Sequence, residues 1–456
     1  MKKVHFIGVG GTGMLSCAGL FKEMGYEVKG SDQKLYPPAS DMIEKIGIER
    51  FEGYSPENLN WDPDLVVVGN ICRPDHVEAV AAKESRAETL SFPQSLEKYL
   101  FPERKPLVVA GTHGKTTTTS MLAHCLEALG ENPGYLIGGQ ALNFENSFCA
   151  GKKASFFLIE GDEYDSAYFD KIAKFLHYSP HGILITSVEW DHVDIYPSEE
   201  NYFAAFNKLI KDAPKGPIII CKDGPGTSKI GPFGKKPVYY GKSTENDYSF
   251  KHKGSELSFF KVNEKYQIKA PWIGAHNSMN ACGVFALLCE LGIDAERAAK
   301  SFESFKGVRR RQEIFHEFEN IKFYDDFAHH PEAIKVTLDA FLESKDDDEE
   351  LWCVFEPRSN TSQTKLFQDA YPKAFKDSDY TIMAKLGRAG KLDPKNLLDR
   401  DLVIKTLKSK GKKAEAIDNS DEIVAHLKEN LKSKARVVIM SNGAFDGIYS
   451  KIKKAF

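Results

Sequence analysis

The segment Leu107 to Gly130, LVVAGTHGKTTTTSMLAHCLEALG, decides how the chain folds. Leu107 to Ala110 reads as a short buried strand, and Gly111-Thr112-His113-Gly114-Lys115-Thr116 as a glycine-rich turn. Leu122, Cys125, Leu126 and Leu129 then fall at i, i+3, i+4, i+7 spacing, and Gly130 stands where a helix stops. Strand, turn and helix in this order can cradle phosphate. Backbone N–H groups wrap the oxygens and the helix N-terminus adds a favourable field. Lys115 offers a charge to the outer phosphates, and Thr116 a hydroxyl to Mg²⁺. The turn is shorter than the full phosphate-loop pattern, because Val109 stands where that pattern has glycine. The bland alternative is an ordinary βα turn with a chance Gly-Lys-Thr; the flanking strand and helix favour phosphate.

Toward the N-terminus the same logic repeats. Val4 to Val9 is a short apolar run, Gly8-x-Gly10-x-x-Gly13 follows, and Met14 to Met24 carries a helical pattern closed by Gly25. Tyr26 to Gly30 reads as a second strand ending at Ser31-Asp32, and Asp64 to Gly69 as a third. This is the order of a Rossmann-like unit. Its glycines suit a nicotinamide cofactor with Asp32 on a ribose, the diphosphate of a UDP-sugar, or a tight turn that only packs helix on strand. Lys2 and Lys3 before an apolar stretch ending near Cys17 loosely resemble an export signal, but His5 and the glycines interrupt it, so export is not expected. A charged, proline-bracketed stretch from Phe101 to Pro106 marks the first boundary, giving a domain over 1–103.

Toward the C-terminus, Phe156 to Ile159 and Gly182 to Thr186 read as buried parallel strands. Pro214 to Pro237 and alternating segments up to Ile268 suggest a small β-rich insertion, and Asn277 to Leu291 a helix. The central domain is expected over 104–306. A third, over 307–456, shows strands at Ile321 to Tyr324, Leu351 to Phe355, Tyr380 to Met383 and Val437 to Met440. Alternating elements of this kind predict an α/β protein of three domains with parallel sheets: an N-terminal Rossmann-like domain, a central P-loop-type ATPase domain and a C-terminal Rossmann-like domain. The length of 456 residues agrees, at roughly 150 residues per domain. The net charge of -4 argues against a general nucleic-acid binder. No run of about 18 apolar residues suggests a membrane span. The eight cysteines form no C-x-x-C pair, which favours free buried thiols over zinc ribbons or redox sites. The acidic run Asp346 to Glu350 and the lysines between Lys405 and Lys413 read as solvated surface.

Three further segments follow predicted strands and could carry chemistry. Glu160-Gly161-Asp162-Glu163-Tyr164-Asp165 sets four carboxylates within six residues. They suit Mg²⁺, or are simply a solvated acidic loop. Glu189-Trp190-Asp191-His192 repeats the placement after the next strand. Asp325-Asp326-Phe327-Ala328-His329-His330-Pro331 offers carboxylates and imidazoles for orienting a nucleotide or a charged intermediate, in preference to zinc. Arg309-Arg310-Arg311 precedes it and could stabilise transferring phosphoryl oxygens, or be a merely basic connection.

Taken in order, Gly111 to Thr116, Glu160, Asp191-His192, Gly274-x-His276-Asn277-x-x-Asn280, Gly307-x-x-x-Arg311 and Asp325 to Pro331 resemble the Mur ligases of peptidoglycan synthesis over the whole chain. The Gly8 to Gly13 turn, Ser31-Asp32 and His329-His330 resemble the branch that works on UDP-N-acetylmuramate. Glu356-Pro357-Arg358-Ser359-Asn360-Thr361 and Met440-Ser441-Asn442-Gly443 resemble members that take a peptide, as do Phe169-Asp170-Lys171 and Lys174-Phe175-x-His177-Tyr178. The resemblance implies an ATP-dependent, ADP-forming amide ligase working through an acyl phosphate. It would join the carboxylate of UDP-N-acetylmuramate to the amine of L-alanyl-γ-D-glutamyl-meso-diaminopimelate, in cytoplasmic peptidoglycan recycling and so in cell-wall biogenesis, cell shape and division. L-Alanine as the amine is the alternative, and a silent UDP-sugar or nucleotide sensor a further one. A nicotinamide-dependent dehydrogenase would leave Gly111 to Thr116 without a task.

By the same resemblance, ATP falls to Gly111, Thr112, His113, Gly114, Lys115, Thr116, Thr117, Asn277, Asn280, Arg311 and Asp326. Mg²⁺ falls to Thr116, Glu160 and His192. The UDP-sugar falls to Gly8, Gly10, Gly11, Thr12, Gly13, Ser31, Asp32 and Asn70, and the peptide to Arg358, Ser359, Asn360, Ser441 and Asn442. Lys115, His192, Arg311, Asp326 and His329 would serve catalysis. Four positions depart from the family pattern: Ser187 for Asn, Gly161 for Ala, Phe327 for Tyr, and Asn207 where some relatives carry a carbamylated lysine. No carbamylated lysine is therefore expected.

Overall fold

The computed structural model describes residues 2–36, 39–153, 155–190, 195–212, 216–231, 234–359, 361–387, 393–432 and 434–456. The chain divides into two compact units. The first comprises Met1–Lys251, Glu256–Lys269 and Met279–Lys306; the second comprises His252–Ser255, Ala270–Ser278 and Gly307–Phe456.

The first unit carries two sheets. Strands β1 (Lys3–Ile7), β2 (Glu27–Asp32), β3 (Glu49–Glu52), β4 (Leu65–Val68) and β5 (Glu88–Ser91) form an all-parallel sheet in the order β3-β2-β1-β4-β5. Alternate side chains enter opposite layers: Val4, Phe6, Leu65 and Val67 face one core, and Ile7, Val66 and Val68 the other. The second sheet contains β6 (Lys105–Ala110), β7 (Gly134–Leu136), β8 (Phe148–Cys149), β9 (Phe156–Gly161), β10 (Gly182–Ile185), β11 (Ile218–Cys221), β12 (Val238–Gly241), β13 (Tyr248–Lys253), β14 (Glu256–Lys261) and β15 (Glu264–Lys269). Their order is β15-β14-β13-β12-β11-β10-β6-β9-β7-β8. Strand β6 lies between β9 and β10, parallel to both, so Ala110, Gly161 and Ile185 stand level at the ends of these three strands. The segment expected as a small β-rich insertion forms β11 to β15, which extend this sheet. The reason is backbone pairing: β11 lies parallel on β10 and β12 on β11, so the ladder of the central sheet continues.

The second unit holds β16 (Glu313–Phe318), β17 (Asn320–Asp326), β18 (Glu350–Phe355), β19 (Tyr380–Met383), β20 (Lys413–Ala416) and β21 (Lys434–Met440), in the order β16-β17-β21-β18-β19-β20. Only β16 runs antiparallel to its neighbour. Leu351, Cys353 and Phe355 pack into one layer and Trp352 and Val354 into the other, as a sheet covered on both faces requires. Asp326 and Phe355 both pair with Met440, so β17, β21 and β18 end together. All eight cysteines are free, and all but Cys149 are buried. Among the described residues no helix is long and apolar enough to cross a membrane.

Candidate functional site

Strand β6 delivers the chain into the turn and the helix Lys115–Ala128 leads away from it. Gly111 (φ +138°) and Gly114 (φ +83°) occupy backbone conformations that side chains disfavour, which is why the turn needs glycine there. Gly114 caps the helix without a side-chain acceptor, and the first helical turn has no acidic residue. The leading N–H groups of a helix have no internal partner, so this end suits an anion. The rest of the turn is tied to the strand β10 side. Thr112 N–H donates to the Ser187 carbonyl (3.0 Å), and His113 N–H to Ser187 Oγ (3.0 Å). The Thr112 hydroxyl takes the Glu189 N–H (2.8 Å). Asn280 abuts Gly114: a Cβ on that glycine would lie 2.9 Å from Asn280 Oδ1.

Lys115 Nζ donates to the Gly111 carbonyl (2.6 Å) and pairs with Glu163 Oε2 at 2.9 Å. Glu163 is 1 % exposed. Burial opposes the Lys115 charge, but Glu163, Asp162 and Glu160 outweigh it and raise its pKa. Thr116 Oγ1 donates to Glu160 Oε2 (3.0 Å), and Gly138 N–H to Glu160 Oε1 (2.6 Å). Burial and then the charge of Asp162 push the Glu160 carboxyl up to about 7, against the pull of Gly138 N–H, Lys115 and Thr116. A buried carboxylate under this strain, beside a hydroxyl and a second acid, is a donor set that fits a hard divalent cation.

At the N-terminal turn, Gly8 and Val9 N–H donate to the Ser31 carbonyl, and Gly10 N–H to Asp32 Oδ2 (2.7 Å). Asp32 also accepts from Gln33 N–H (2.7 Å) and the Tyr54 hydroxyl (3.0 Å). Its carboxylate is thus occupied by the turn itself. Ser31 is buried and its hydroxyl donates to Glu78. Burial would raise the Glu78 carboxyl, but His5, Ser31, Asn58 and the Ser55 N–H together hold it low. The Ser31 side chain therefore belongs to a buried network and not to the surface. Gly11, Thr12, Gly13 and Asn70 are exposed, and Ile71, 63 % exposed, stands over Gly8.

In the second unit, Asp326 is the last residue of β17 and accepts N–H groups from Gln312 (2.9 Å) and Ala328 (2.8 Å). Burial raises its pKa, and Arg311 and these N–H groups offset that only in part. Asn277 Nδ2 donates to Gln312 Oε1 (3.2 Å), so Asn277, Arg311 and Asp326 gather around one residue. The guanidinium of Arg311 lies 5.1 Å from the centre of the Phe327 ring. His329 Nδ1 is 3.0 Å from the Phe327 carbonyl. After β18, Arg358 crosses Gly443, where a Cβ would overlap its Nε, and it meets Glu356 only at 3.5 Å. Ser441 is buried and donates to Glu356 Oε2 (2.5 Å); Ser359 Oγ takes the Ser362 N–H (3.0 Å). Both hydroxyls are thereby engaged in bracing their turns.

Family models match the chain in three consecutive pieces: the Mur ligase family catalytic domain over residues 3–100, the Mur ligase middle domain over 109–288, and the Mur ligase glutamate ligase domain over 310–443. The chain belongs to the Mur ligase family. This family comprises ATP-dependent, ADP-forming ligases. The Mur ligase described here is 34% identical to the UDP-N-acetylmuramate–L-alanyl-γ-D-glutamyl-meso-2,6-diaminoheptandioate ligase of Haemophilus influenzae, over 99% of this chain and 98% of that one. Among solved structures it resembles a murein peptide ligase of Psychrobacter arcticus (TM-score 0.71, 30% identity, 100% and 98% of the two chains). It also resembles the UDP-N-acetylmuramate–alanine ligase of Thermotoga maritima (TM-score 0.77, 25% identity, 100% and 99%).

Asp191, His192 and Asn360 lie outside the described residues of this Mur ligase. Glu163, Glu189 and Ser187 adjoin the turn, although the resemblance places no ligand on any of the three. Ser187 now accepts the His113 N–H, and Gly161 lies where a Cβ would come 2.8 Å from Val108 Cγ1 and 2.9 Å from the Ala110 Cβ. Asn207 Oδ1 accepts the Gly231 N–H (2.8 Å), and Lys208 is exposed and paired with Asp212.

Proposed function

We propose that this Mur ligase joins the lactyl carboxylate of UDP-N-acetylmuramate to the amine of L-alanyl-γ-D-glutamyl-meso-diaminopimelate, at the expense of ATP, in the cytoplasm. The domains would divide as 1–103 for the UDP-sugar, 104–306 for ATP and 307–456 for the peptide. The open helix end at Thr12 and Gly13 supports a diphosphate site, and the Asp32 carboxylate braces the turn beside it through Gly10 N–H.

Amide formation from a carboxylate and an amine needs an activated acid. In this reading the carboxylate attacks the γ-phosphate, ADP leaves, the amine attacks the resulting acyl phosphate, and phosphate departs. The first step brings two anions together, so the chain must supply positive charge. Lys115, kept charged by Glu163, does so from the glycine turn, and Arg311 from the strip before β16. Asn277, Asn280 and Asp326 read the nucleotide. Thr116 and Glu160, with His192, would hold Mg²⁺, which screens phosphate charge when bound. His329 orients the reacting groups.

The observation that carries the choice of amine is the pair of turns after β18 and β21. Glu356 and Ser441 brace them, and Arg358 lies across Gly443 with its fork only loosely engaged among the described residues, which suits a carboxylate of a polyanionic peptide. L-Alanine is the second reading, favoured by the backbone likeness to an alanine ligase. The test is ADP release with UDP-N-acetylmuramate and each amine in one preparation. The tripeptide should give the larger kcat/KM; a larger value for L-alanine would transfer the assignment, and tight NAD binding without any of UDP-N-acetylmuramate would overturn it.

A further inference from the structure

We propose that Arg310 is a positioning residue that fastens the strip presenting Arg311 to the turn at 441–443, and so couples ATP binding to binding of the amine substrate. The proposal rests on the role of Arg311 proposed above and on the peptide-binding role that the family resemblance implies for Asn442.

Arg310 (φ +59°) and Gln312 (φ +54°) both hold left-handed backbone on either side of Arg311. Side chains avoid that region, and such residues persist only where the surroundings over-determine them. Both are so held. Gln312 donates its N–H to Asp326, and its side-chain carbonyl accepts from Asn277 Nδ2. Arg310 gives its N–H to Glu313 Oε2 (2.9 Å). Its Nη2 donates to two backbone carbonyls, Ser441 (2.6 Å) and Gly443 (2.9 Å), and its Nε pairs with Asp325 Oδ2 at 3.3 Å. Asp325 is itself fixed by the Tyr449 hydroxyl (2.7 Å). The guanidinium groups of Arg310 and Arg311 each lie 5.1 Å from the centre of the Phe327 ring, so one plate aligns both.

The two carbonyls that Arg310 grips bracket Asn442. Asn442 Oδ1 is buried and has no hydrogen-bond partner among the described residues, a costly state that a substrate N–H would relieve. From the same turn, Ser441 N–H reaches the Asp326 carbonyl (3.1 Å), Gly443 N–H reaches Ser441 Oγ (2.9 Å), and Ser441 Oγ reaches Glu356, the partner of Arg358. A contiguous set of contacts thus runs from Arg311 through Phe327 and Arg310 to the groups proposed to hold the peptide. A lysine cannot replace Arg310, because one ammonium cannot span two carbonyls, pair with Asp325 and lie flat on a ring at once.

The experiment titrates tripeptide onto the full-length protein saturated with UDP-N-acetylmuramate, with and without the β,γ-imido analogue of ATP and Mg²⁺. The wild-type affinity should rise about tenfold with the nucleotide, a coupling of ordinary size. In Arg310→Lys the ratio should fall to near one, and the KM values for ATP and tripeptide should both rise by about tenfold. Arg310→Ala should do the same; Arg310→Lys decides alone if the alanine variant does not fold. A residue that only staples the fold would lower Tm and kcat in both variants while leaving the KM values and the ratio as in wild type, and that result overturns the proposal. So does a wild-type ratio of one in an active enzyme. A wild-type protein that releases no ADP with UDP-N-acetylmuramate and tripeptide overturns the functional reading first, and this proposal with it.

Discussion

Replacing Lys115 by methionine should loosen the first unit as well as silence the enzyme. Lys115 Nζ sits 2.9 Å from Glu163 Oε2, and Glu163 has almost no contact with solvent. Methionine removes the cation and leaves the carboxylate buried, with Glu160 and Asp162 adding like charge nearby. Breaking a buried pair from one side costs about 3–5 kcal/mol. At about 2 °C per kcal/mol, the low end for a unit of this size, calorimetry at neutral pH should show a transition about 6–10 °C lower. Lys115→Met/Glu163→Gln removes the buried negative charge as well, so it should melt well above the single variant. Activity should not follow: kcat should fall by a factor on the order of 10² or more in both, because the charge toward the phosphates is absent from both. A single variant that melts with the wild type, or a double variant no more stable than the single, would falsify the account of Lys115 as a preloaded, carboxylate-held cation. Retained turnover in either would sink its catalytic assignment.

Asp325 sets a pH dependence in the second unit. Burial lifts its carboxyl from an ordinary 3.8 to about 6 despite Tyr449 and Arg310. The folded chain therefore holds that proton more tightly than the unfolded one, and stability falls as pH rises from about 4 through about 6. At about 1.4 kcal/mol per pH unit the interval is worth roughly 3 kcal/mol, and Asp325→Asn should remove it from a urea-unfolding pH series. Equal slopes for variant and wild type would refute the burial argument. Arg358→Lys should raise the tripeptide KM about tenfold and leave the apparent affinity for ATP nearly unchanged, as steady-state kinetics will show.

The parts legible in the sequence are those whose signal is local. The turn at Gly111 to Thr116 announced itself because its glycines, lysine and flanking apolar runs all lie within one βα unit. Strands such as Leu351 to Phe355 and Tyr380 to Met383 were legible as apolar runs buried on both faces. Among the strands that escaped, β3 (ERFE), β16 (EIFHEF) and β20 (KAEA) are edge strands of their sheets. Edge strands carry charge that discourages further pairing, and that charge hides them from a search for apolar periodicity. The extent of the central sheet was hidden for a different reason: whether β11 to β15 form their own sheet or extend another depends on register against β10, which no single segment encodes.

Two residues that the sequence names only as members of a group share one property: each acts through a partner distant in sequence. Glu163 lies 48 positions from Lys115, and Arg310 lies 131 and 133 positions from the two carbonyls that it grips. Composition marks Glu163 as one acid among four, and Arg310 as one arginine among three. Only the packing of β9 beside β6 turns the first into the counter-ion of the phosphate lysine, and only the pairing of β17 with β21 brings the second to the turn after Met440. The same argument cuts against Ser31 and Ser441 as direct side-chain ligands. Position after a parallel strand singled them out, yet burial hands their hydroxyls to Glu78 and Glu356. A strand end tells which residues can reach a cleft; the neighbouring carboxylate decides whether the side chain faces the ligand or holds up the backbone that does.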